Sequence, residues 1–326
     1  MFVPHAGCPN QCSFCNQKSI SGQLEKITAQ DVKNAAETAI KSSCTPNGEI
    51  AFFGGSFTAI DRVYMTQLLK AAVPYIEQKY FSGIRISTRP DAIDEEICKI
   101  LKENYVTSVE LGCQSMDDEV LKANQRGHTS QDVVRATEML KKFGFEVGHQ
   151  MMTGLYKSSV EKDIETAKRI ISLKPDTVRI YPTIVLENTK LCELYNSGEY
   201  KVMSDEETVD LCAELLLMFF ENDIKVIRTG LHSGGNVEEG YVAGFYHPAF
   251  KELCESRIYF NKIIKEIDNS KIQKGKILVG VAPYAVSATV GQKRFNAEQL
   301  KKQGYEMKVV ALNDVGRYEV KVEEQK

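Results

Sequence analysis

The stretch GIRISTRPDAIDEEICKILKENYVTSVEL, Gly83 to Leu111, decides the fold. It opens on a short apolar run, Gly83 to Ser87. Asp94 to Glu103 then carries apolar residues at helical spacing, and Ser108 to Leu111 is apolar again. Strand, helix, strand in so short a space is the unit that joins two parallel strands, because a parallel neighbour can be reached only by a crossover that returns the chain to its starting edge. The pattern repeats outward in both directions. Strands are expected at Phe2 to Pro4, Glu49 to Phe53, Gly83 to Ser87, Ser108 to Leu111, Glu146 to Met152, Thr177 to Tyr181 and Lys225 to Arg228. Helices are expected at Thr28 to Lys41, Tyr64 to Gln78, Asp94 to Glu103, Gln131 to Phe143, Val160 to Leu173 and Glu206 to Asn222. The repetition predicts an α/β chain whose parallel sheet curls into a partial (β/α)6 TIM-type barrel. The first strand is short, so either it borrows little from the sheet or the native chain begins upstream of Met1.

The chain has 326 residues, 43% of them apolar, enough for one large domain and a small one. Lysine and arginine total 41 against 44 acidic residues, a net charge of −3, which neither demands nor excludes a nucleic-acid partner. No run of about 18 apolar residues is present, so no membrane span is expected.

In parallel β/α folds ligands gather at the carboxyl ends of strands, and the polar motifs follow strand runs here. After the first strand comes Cys8-x3-Cys12-x2-Cys15. Nine cysteines scattered at random would produce this triplet roughly 0.007 times per chain, so coincidence explains it poorly. Three thiolates can hold an iron–sulfur cube and leave one iron open to chelate a small molecule, which points to redox-initiated chemistry. The alternative is zinc, with His5 as a fourth ligand, although no second cysteine pair accompanies the first. Cys44, Cys98, Cys113, Cys192, Cys212 and Cys254 share no spacing and are expected to be buried free thiols. Free thiols without a signal peptide imply a reducing, cytoplasmic setting. After the second strand stands Gly54-Gly55-Ser56, adjacent glycines that let backbone approach a ligand closely or simply make a tight turn. The third is followed by Ser87-Thr88-Arg89-Pro90-Asp91, the fourth by Gln114-Ser115 and then Asn124-Gln125-Arg126-Gly127-His128-Thr129.

The loop GCPNQCSFCNQ, with Phe14 before its third cysteine, resembles the cluster loop of the radical S-adenosylmethionine (SAM) superfamily. The blocks FFGGSFTAID, STRPDAID, VELGCQSMDDEVLKANQRGHT, GHQMMTGL and YPTIVLENTKLCELYNSGEY look like the radical SAM domain of the Elongator catalytic subunit and its prokaryotic relatives, over about residues 2 to 260. The resemblance implies a 4Fe-4S cluster on Cys8, Cys12 and Cys15, whose open iron binds SAM, and a 5'-deoxyadenosyl radical from its reductive cleavage. By position, Gly54, Gly55 and Ser56 would hold the SAM amino group, Gln114 the ribose, and Arg126 the carboxylate, a fork suited to bidentate capture. Ser87, Thr88 and Gln150 would line the ribose pocket, with Met152 on the adenine. Arg179 and Tyr181, at the end of the sixth strand, would face the substrate. His128 and His149 are expected to be structural hydrogen-bonders. The spacing of the first two cysteines is more compact than Elongator's, and too few residues follow Ile267 for its acetyltransferase domain.

The remaining chain is expected as a bracing helix within YHPAFKELCESRIYFNKIIKEI, a polar linker from Asp268 to Gly275, and a small α+β unit. In that unit Lys276 to Ala282 is a strand, Ala285 to Val290 and Asn296 to Gln303 are helices around the turn Gly291-Gln292-Lys293-Arg294, and Glu306 to Leu312 with Tyr318 to Val322 form a hairpin. This order resembles a KH-like RNA-binding core, with Gly291, Lys293 and Arg294 on the nucleic acid backbone or, in the plainer alternative, on a solvated face. The expected domains are thus residues 1–235, 236–270 and 271–326. Three functions remain open: a radical SAM enzyme that modifies a base in tRNA or rRNA, reduced by flavodoxin or ferredoxin; a radical SAM enzyme acting on a small molecule, as coproporphyrinogen-oxidase relatives do; and a noncatalytic RNA-binding protein with a structural cluster.

Overall fold

The computed structural model describes residues 1–3, 8, 11–16, 26–42, 47–231 and 240–325. Its elements run α1 (Ala29–Lys41), β1 (Glu49–Phe52), α2 (Arg62–Glu77), β2 (Gly83–Thr88), α3 (Glu95–Glu103) and β3 (Val106–Gln114). Next come α4 (Asp118–Ala123), α5 (Ser130–Lys142), β4 (Glu146–Thr153), α6 (Val160–Ser172), β5 (Thr177–Pro182) and the two-residue β6 (Val185–Leu186). They are followed by α7 (Lys190–Asn196), α8 (Asp205–Glu221), β7 (Lys225–Thr229), β8 (Tyr241–Ala243) and α9 (Phe250–Ser270). The C-terminal part holds β9 (Gly275–Val281), α10 (Val286–Val290), α11 (Phe295–Lys302), β10 (Tyr305–Ala311) and β11 (Lys321–Glu324).

Six strands pair in the order β1-β2-β3-β4-β5-β7, every neighbour parallel, with a helix in each crossover. This is the curled half-barrel that the alternation predicts. Most helices start on a short polar side chain that accepts an otherwise unpaired amide: Thr28, Asp61, Asp94, Asp117, Thr129, Ser159, Thr189 and Ser204. The outer strand faces are apolar and buried under these helices, Ile84 and Ile86 on β2, Val109 and Leu111 on β3, Val147 and Met151 on β4, Val178 and Ile180 on β5. Each such side chain contributes about 1.5–3 kcal/mol by leaving water. The alternate positions face the lumen, and there the strands carry Glu49, Arg85, Ser108, Glu110, Gln150 and Arg179.

Four expectations need correction. Phe2 makes a single parallel bridge to Phe53 rather than a strand ladder; Val3 N donates to Phe53 O (2.7 Å) and Phe53 N to Met1 O (2.9 Å), while Pro4 lies outside the described residues. The linker at Asp268 to Gly275 is shorter, because α9 continues to Ser270 and ends on Lys271 in the left-handed region (φ 52°). The hairpin between Glu306 to Leu312 and Tyr318 to Val322 is not formed. Instead β9 is central, β10 pairs with it in parallel and β11 antiparallel. The physical reason is burial: Ile277, Val279 and Val281 on β9 are fully covered, and Tyr318 leaves the strand to pack on α9, its amide donating to Tyr259 Oη (3.1 Å). The antiparallel pair β6/β8 is too short to leave a periodic signal. Lastly, Cys98, Cys113, Cys212 and Cys254 are buried thiols, but Cys192 on α7 is only half-buried, and Cys44 lies outside the described residues.

No helix among the described residues is long and apolar enough to cross a membrane.

Candidate functional site

The cysteine loop is fastened to the rest of the barrel from its far side. Ser13 Oγ donates to Asn124 Oδ1 (2.7 Å), and Ser13 N donates to Asn124 O (3.1 Å). The Asn124 amide in turn donates to Val120 O (2.8 Å) and Tyr156 O (2.9 Å). Leu191 N donates to Ser13 O (2.7 Å), and Asn16 Nδ2 to Glu187 O (2.9 Å). Cys12 is buried by this arrangement, whereas Cys8 and Cys15 are half-buried.

Arg126 reaches the loop directly. Its Nη1 donates to Cys12 Sγ (3.0 Å) and its Nη2 to Gly112 O (2.7 Å), while Nε is buried without a partner. The guanidinium carbon stands 6.0 Å from the centre of the Phe14 ring, within cation–π reach. Gly112 makes room: a Cβ there would lie 3.2 Å from Gln114 Nε2 and 3.3 Å from Arg126 Nη2. Gln114, after a register shift in β3, adopts φ 65°, a conformation costly for a non-glycine residue, and its Oε1 is buried with no partner. Arg89 holds the backbone of Arg126, donating to its carbonyl (2.6 Å) while forming a two-pronged pair with Asp91 (2.9 and 3.0 Å).

Ser56 and Thr88 are turned inward. Their hydroxyls share a 2.9 Å hydrogen bond, Ser56 Oγ also accepts from Arg89 N (3.1 Å), and Thr88 Oγ1 lies 2.6 Å from Thr58 Oγ1. Both are buried, so these side chains tie two loops together instead of facing a ligand, a correction to the expected amino-group and ribose contacts. Gly54 and Gly55 do have positive φ, 92° and 47°, and a Cβ on Gly54 would meet the Phe2 ring at 2.6 Å. Any other residue at Gly54 would therefore be doubly penalised.

Below this layer lies a charged cluster centred on Glu110, a residue the sequence reading did not single out. Its carboxylate accepts from Arg179 Nε (2.6 Å) and Nη2 (2.8 Å) and from Gln150 Nε2 (2.9 Å), and Arg85 Nη1 stands 3.5 Å away. Gln150 Nε2 also reaches Ser87 Oγ (3.3 Å), which gathers two of the expected ribose residues. Arg85 completes the cluster through Glu49 (2.7 Å) and Glu146 (2.9 Å). Arg179 is thereby spent on Glu110 and on the Phe53 ring, 5.5 Å from its guanidinium carbon, which assigns it to positioning rather than to substrate contact. Tyr181 is a register partner of Met152, and both are half-exposed on the lumen face. Burial raises the Tyr181 phenol above its ordinary value against the pull of Arg179, so it remains an O–H at neutral pH. The signal for Glu110 was available: a carboxylate inside an otherwise apolar strand must have a cationic partner.

His128 and His149 are buried and neutral. Burial, helped by Arg126, depresses His128 to about 4, and its Nε2 lies 3.2 Å from Cys113 O. Burial takes His149 to about 3, and it bonds Thr137 (2.9 Å).

Gly291, Lys293 and Arg294 belong to a separate surface. Gly291 is buried against Asn296 and Ser256, where a Cβ would lie 2.9 Å from Asn296 N. The Asn296 amide donates to Ser256 O (2.9 Å) and Oγ (2.9 Å), which docks the turn on α9. Gly291 thus serves packing, while Lys293 and Arg294 are exposed in left-handed conformation (φ 50° and 64°). Lys293 lines a cavity of about 1010 Å³ with Asp205, Phe245, Phe260 and Lys302, and none of the candidate cofactor residues lines it.

The donor set suits a three-thiolate cluster. Ligands of one zinc ion converge on a point at about 2.3 Å. Among the described residues no three His, Cys, Asp or Glu side chains converge on one ion, whereas thiolates bound to separate irons need not converge. His5 lies outside the described residues. The unpartnered Gln114 Oε1 and Arg126 Nε, both beside Cys12, are the kind of buried polar atoms that a polar cofactor satisfies.

A family model described as the Radical SAM superfamily matches residues 2–170, and one described as the Radical SAM C-terminal domain matches residues 175–259. The chain is 33% identical over 184 residues to a tRNA uridine(34) acetyltransferase of Methanocaldococcus infernus, covering 50% of this chain and 34% of that protein. It is 30% identical over 190 residues to the human Elongator complex protein 3, covering 52% and 35%. The chain thus spans about a third of the length of these relatives. Among solved structures it is similar to the archaeal Elp3 of Methanocaldococcus infernus with an N-terminal deletion, with TM-score 0.60, 25% identity, and coverage of 75% of this chain and 59% of that one.

Proposed function

The chain belongs to the radical SAM superfamily, whose cofactors are a 4Fe-4S cluster and SAM, and on that premise we propose that it modifies a base in RNA, tRNA before rRNA, by radical chemistry. The reading rests above all on one observation: the thiol of Cys12 is met by a buried guanidinium, Arg126, at the carboxyl end of β3. When bound, the cluster, reduced by a flavodoxin or ferredoxin, supplies the electron that splits SAM and yields a 5'-deoxyadenosyl radical able to take hydrogen from an unactivated carbon.

The chain's own residues then bind, orient and shield. Cys8, Cys12 and Cys15 hold the cluster. The backbone of Gly54 and Gly55 offers its polar groups to the SAM amino end, as positive φ at both allows. Gln114 Oε1 accepts from the ribose. Gln150 and Ser87 line the same pocket, kept in place by Glu110, and Met152 packs against the adenine. Tyr181, a neutral phenol on the lumen face, contacts the substrate as a hydrogen-bond donor. The RNA part of the proposal draws on the relatives named for tRNA uridine(34) acetylation and on the exposed Lys293 and Arg294, which suit phosphates.

The test is anaerobic reconstitution with iron and sulfide, then dithionite and SAM. Release of 5'-deoxyadenosine by the wild type, with loss in Cys12→Ser, is expected; no release, or release undiminished in the variant, refutes the radical reading. Mass spectrometry of tRNA nucleosides from cells with and without the protein tests the substrate. Identical nucleoside profiles refute the RNA part.

A further inference from the structure

Arg126 is a cation buried to within 8% of full cover, yet no carboxylate among the described residues pairs with it. A desolvated guanidinium left without a countercharge is costly. What the fold sets against it is sulfur: Nη1 lies 3.0 Å from Cys12 Sγ. The second arm of the fork is fixed on Gly112 O at 2.7 Å. With both η nitrogens so engaged, the fork does not face outward to grip a carboxylate in two-pronged fashion. Its orientation is enforced, since Arg89 clamps its carbonyl at 2.6 Å, the missing side chain at Gly112 leaves the space it fills, and the Phe14 ring stands beside it.

We infer that Arg126 sets the reduction potential of the cluster through its hydrogen bond to the Cys12 sulfur, and acts as a positioning and tuning residue rather than as the carboxylate clamp of SAM. The inference rests on the proposed cluster. One-electron reduction adds negative charge that is shared by the cluster's sulfurs. A full positive charge hydrogen-bonded to one of them is worth more in the reduced than in the oxidised state, so it makes reduction easier. The electron comes from a one-electron donor, dithionite in the experiment below, and no bond is made or broken in this step.

The experiment is an anaerobic redox titration followed by electron paramagnetic resonance, without SAM, on reconstituted wild type, Arg126→Gln and Arg126→Lys, with iron and sulfide counted on each. The glutamine variant should hold the cluster with its reduction equilibrium shifted at least tenfold toward the oxidised form, which for one electron is about 59 mV downward. The lysine variant, which keeps the charge, should lie between it and the wild type. A glutamine variant that takes up no cluster while the lysine variant does also supports the countercharge role. An unchanged potential in Arg126→Gln overturns the inference and leaves the proposed function standing. Loss of the cluster from both variants overturns it too, by assigning Arg126 to the architecture of the loop. A wild type that binds no 4Fe-4S cluster fails the proposed function itself, a separate and recognisable result.

Discussion

Glu110→Gln preserves the volume of the lumen's central side chain and removes its charge. In the native chain the carboxylate is 1% exposed and receives both prongs of Arg179, at 2.6 and 2.8 Å, while Arg85 stands 3.5 Å away. Arg85 retains Glu49 and Glu146, so the residue stranded by the substitution is Arg179. Removing one member of a buried pair costs about 3–5 kcal/mol, because the partner stays desolvated. Arg179 is 14% exposed, and the water it reaches places the cost near the lower end, about 3 kcal/mol. At about 2–4 °C per kcal/mol for a chain of this size, the melting temperature should fall by roughly 6–12 °C. Urea unfolding followed by circular dichroism at neutral pH measures it, on wild type, Glu110→Gln, Arg179→Met and the double variant. Since the double variant leaves neither charge alone, its loss should be clearly smaller than the sum of the two single losses. A single variant within about 1 kcal/mol of wild type, or additive losses in the double, refutes the assignment of Glu110 as the lumen's electrostatic centre.

The histidines give a second test. Folded values of about 3 for His149 and about 4 for His128, against an ordinary 6.5, mean that their contribution is complete above pH 6.5 and lost as the pH falls. Burial raises Asp163 from 3.8 to about 6, which opposes one of them between those values. The net is one proton, so stability should decline by about 1.4 kcal/mol per pH unit from pH 6 to 4. His149→Gln should flatten that slope; equal wild-type stability at pH 7 and 5 would contradict it. Gly112→Ala, whose Cβ presses on Gln114 and Arg126, should lower iron bound per chain after reconstitution, measured by iron assay and visible absorption; a full complement would show that neighbours yield freely. Asn296→Ala removes an amide that donates to Ser256 and Thr289 and should cost about 1–3 kcal/mol, seen as faster hydrogen exchange across residues 286–302 with the barrel strands unaffected.

The barrel could be read from the chain because its two periodicities are separate: β2, α3 and β3 each declare themselves by spacing and are bounded by polar residues. The cysteine triplet and the glycine pair were legible for the same reason, as local patterns. What spacing does not carry is orientation. Ser56 and Thr88 stand in the expected blocks, yet their hydroxyls point at one another. Arg179 and Arg126 were recognised as site residues, but the partners that employ them, Glu110 and Cys12, are 69 and 114 positions away in sequence. In the C-terminal unit the order of elements was visible and the pairing was not, because adjacent strands separated by a turn suggest a hairpin unless a more apolar strand claims the position between them.

The knot of hydrogen bonds around Ser13 and Asn124 bears on how the protein comes into being. The anchors of the metal-binding segment, Asn124, Tyr156, Glu187 and Leu191, emerge from the ribosome long after the cysteines themselves. Until they arrive, that segment has nothing to lean on. Iron and sulfide must therefore be delivered to a nearly finished polypeptide, and a nascent chain truncated before Leu191 should be a poor acceptor for the maturation machinery.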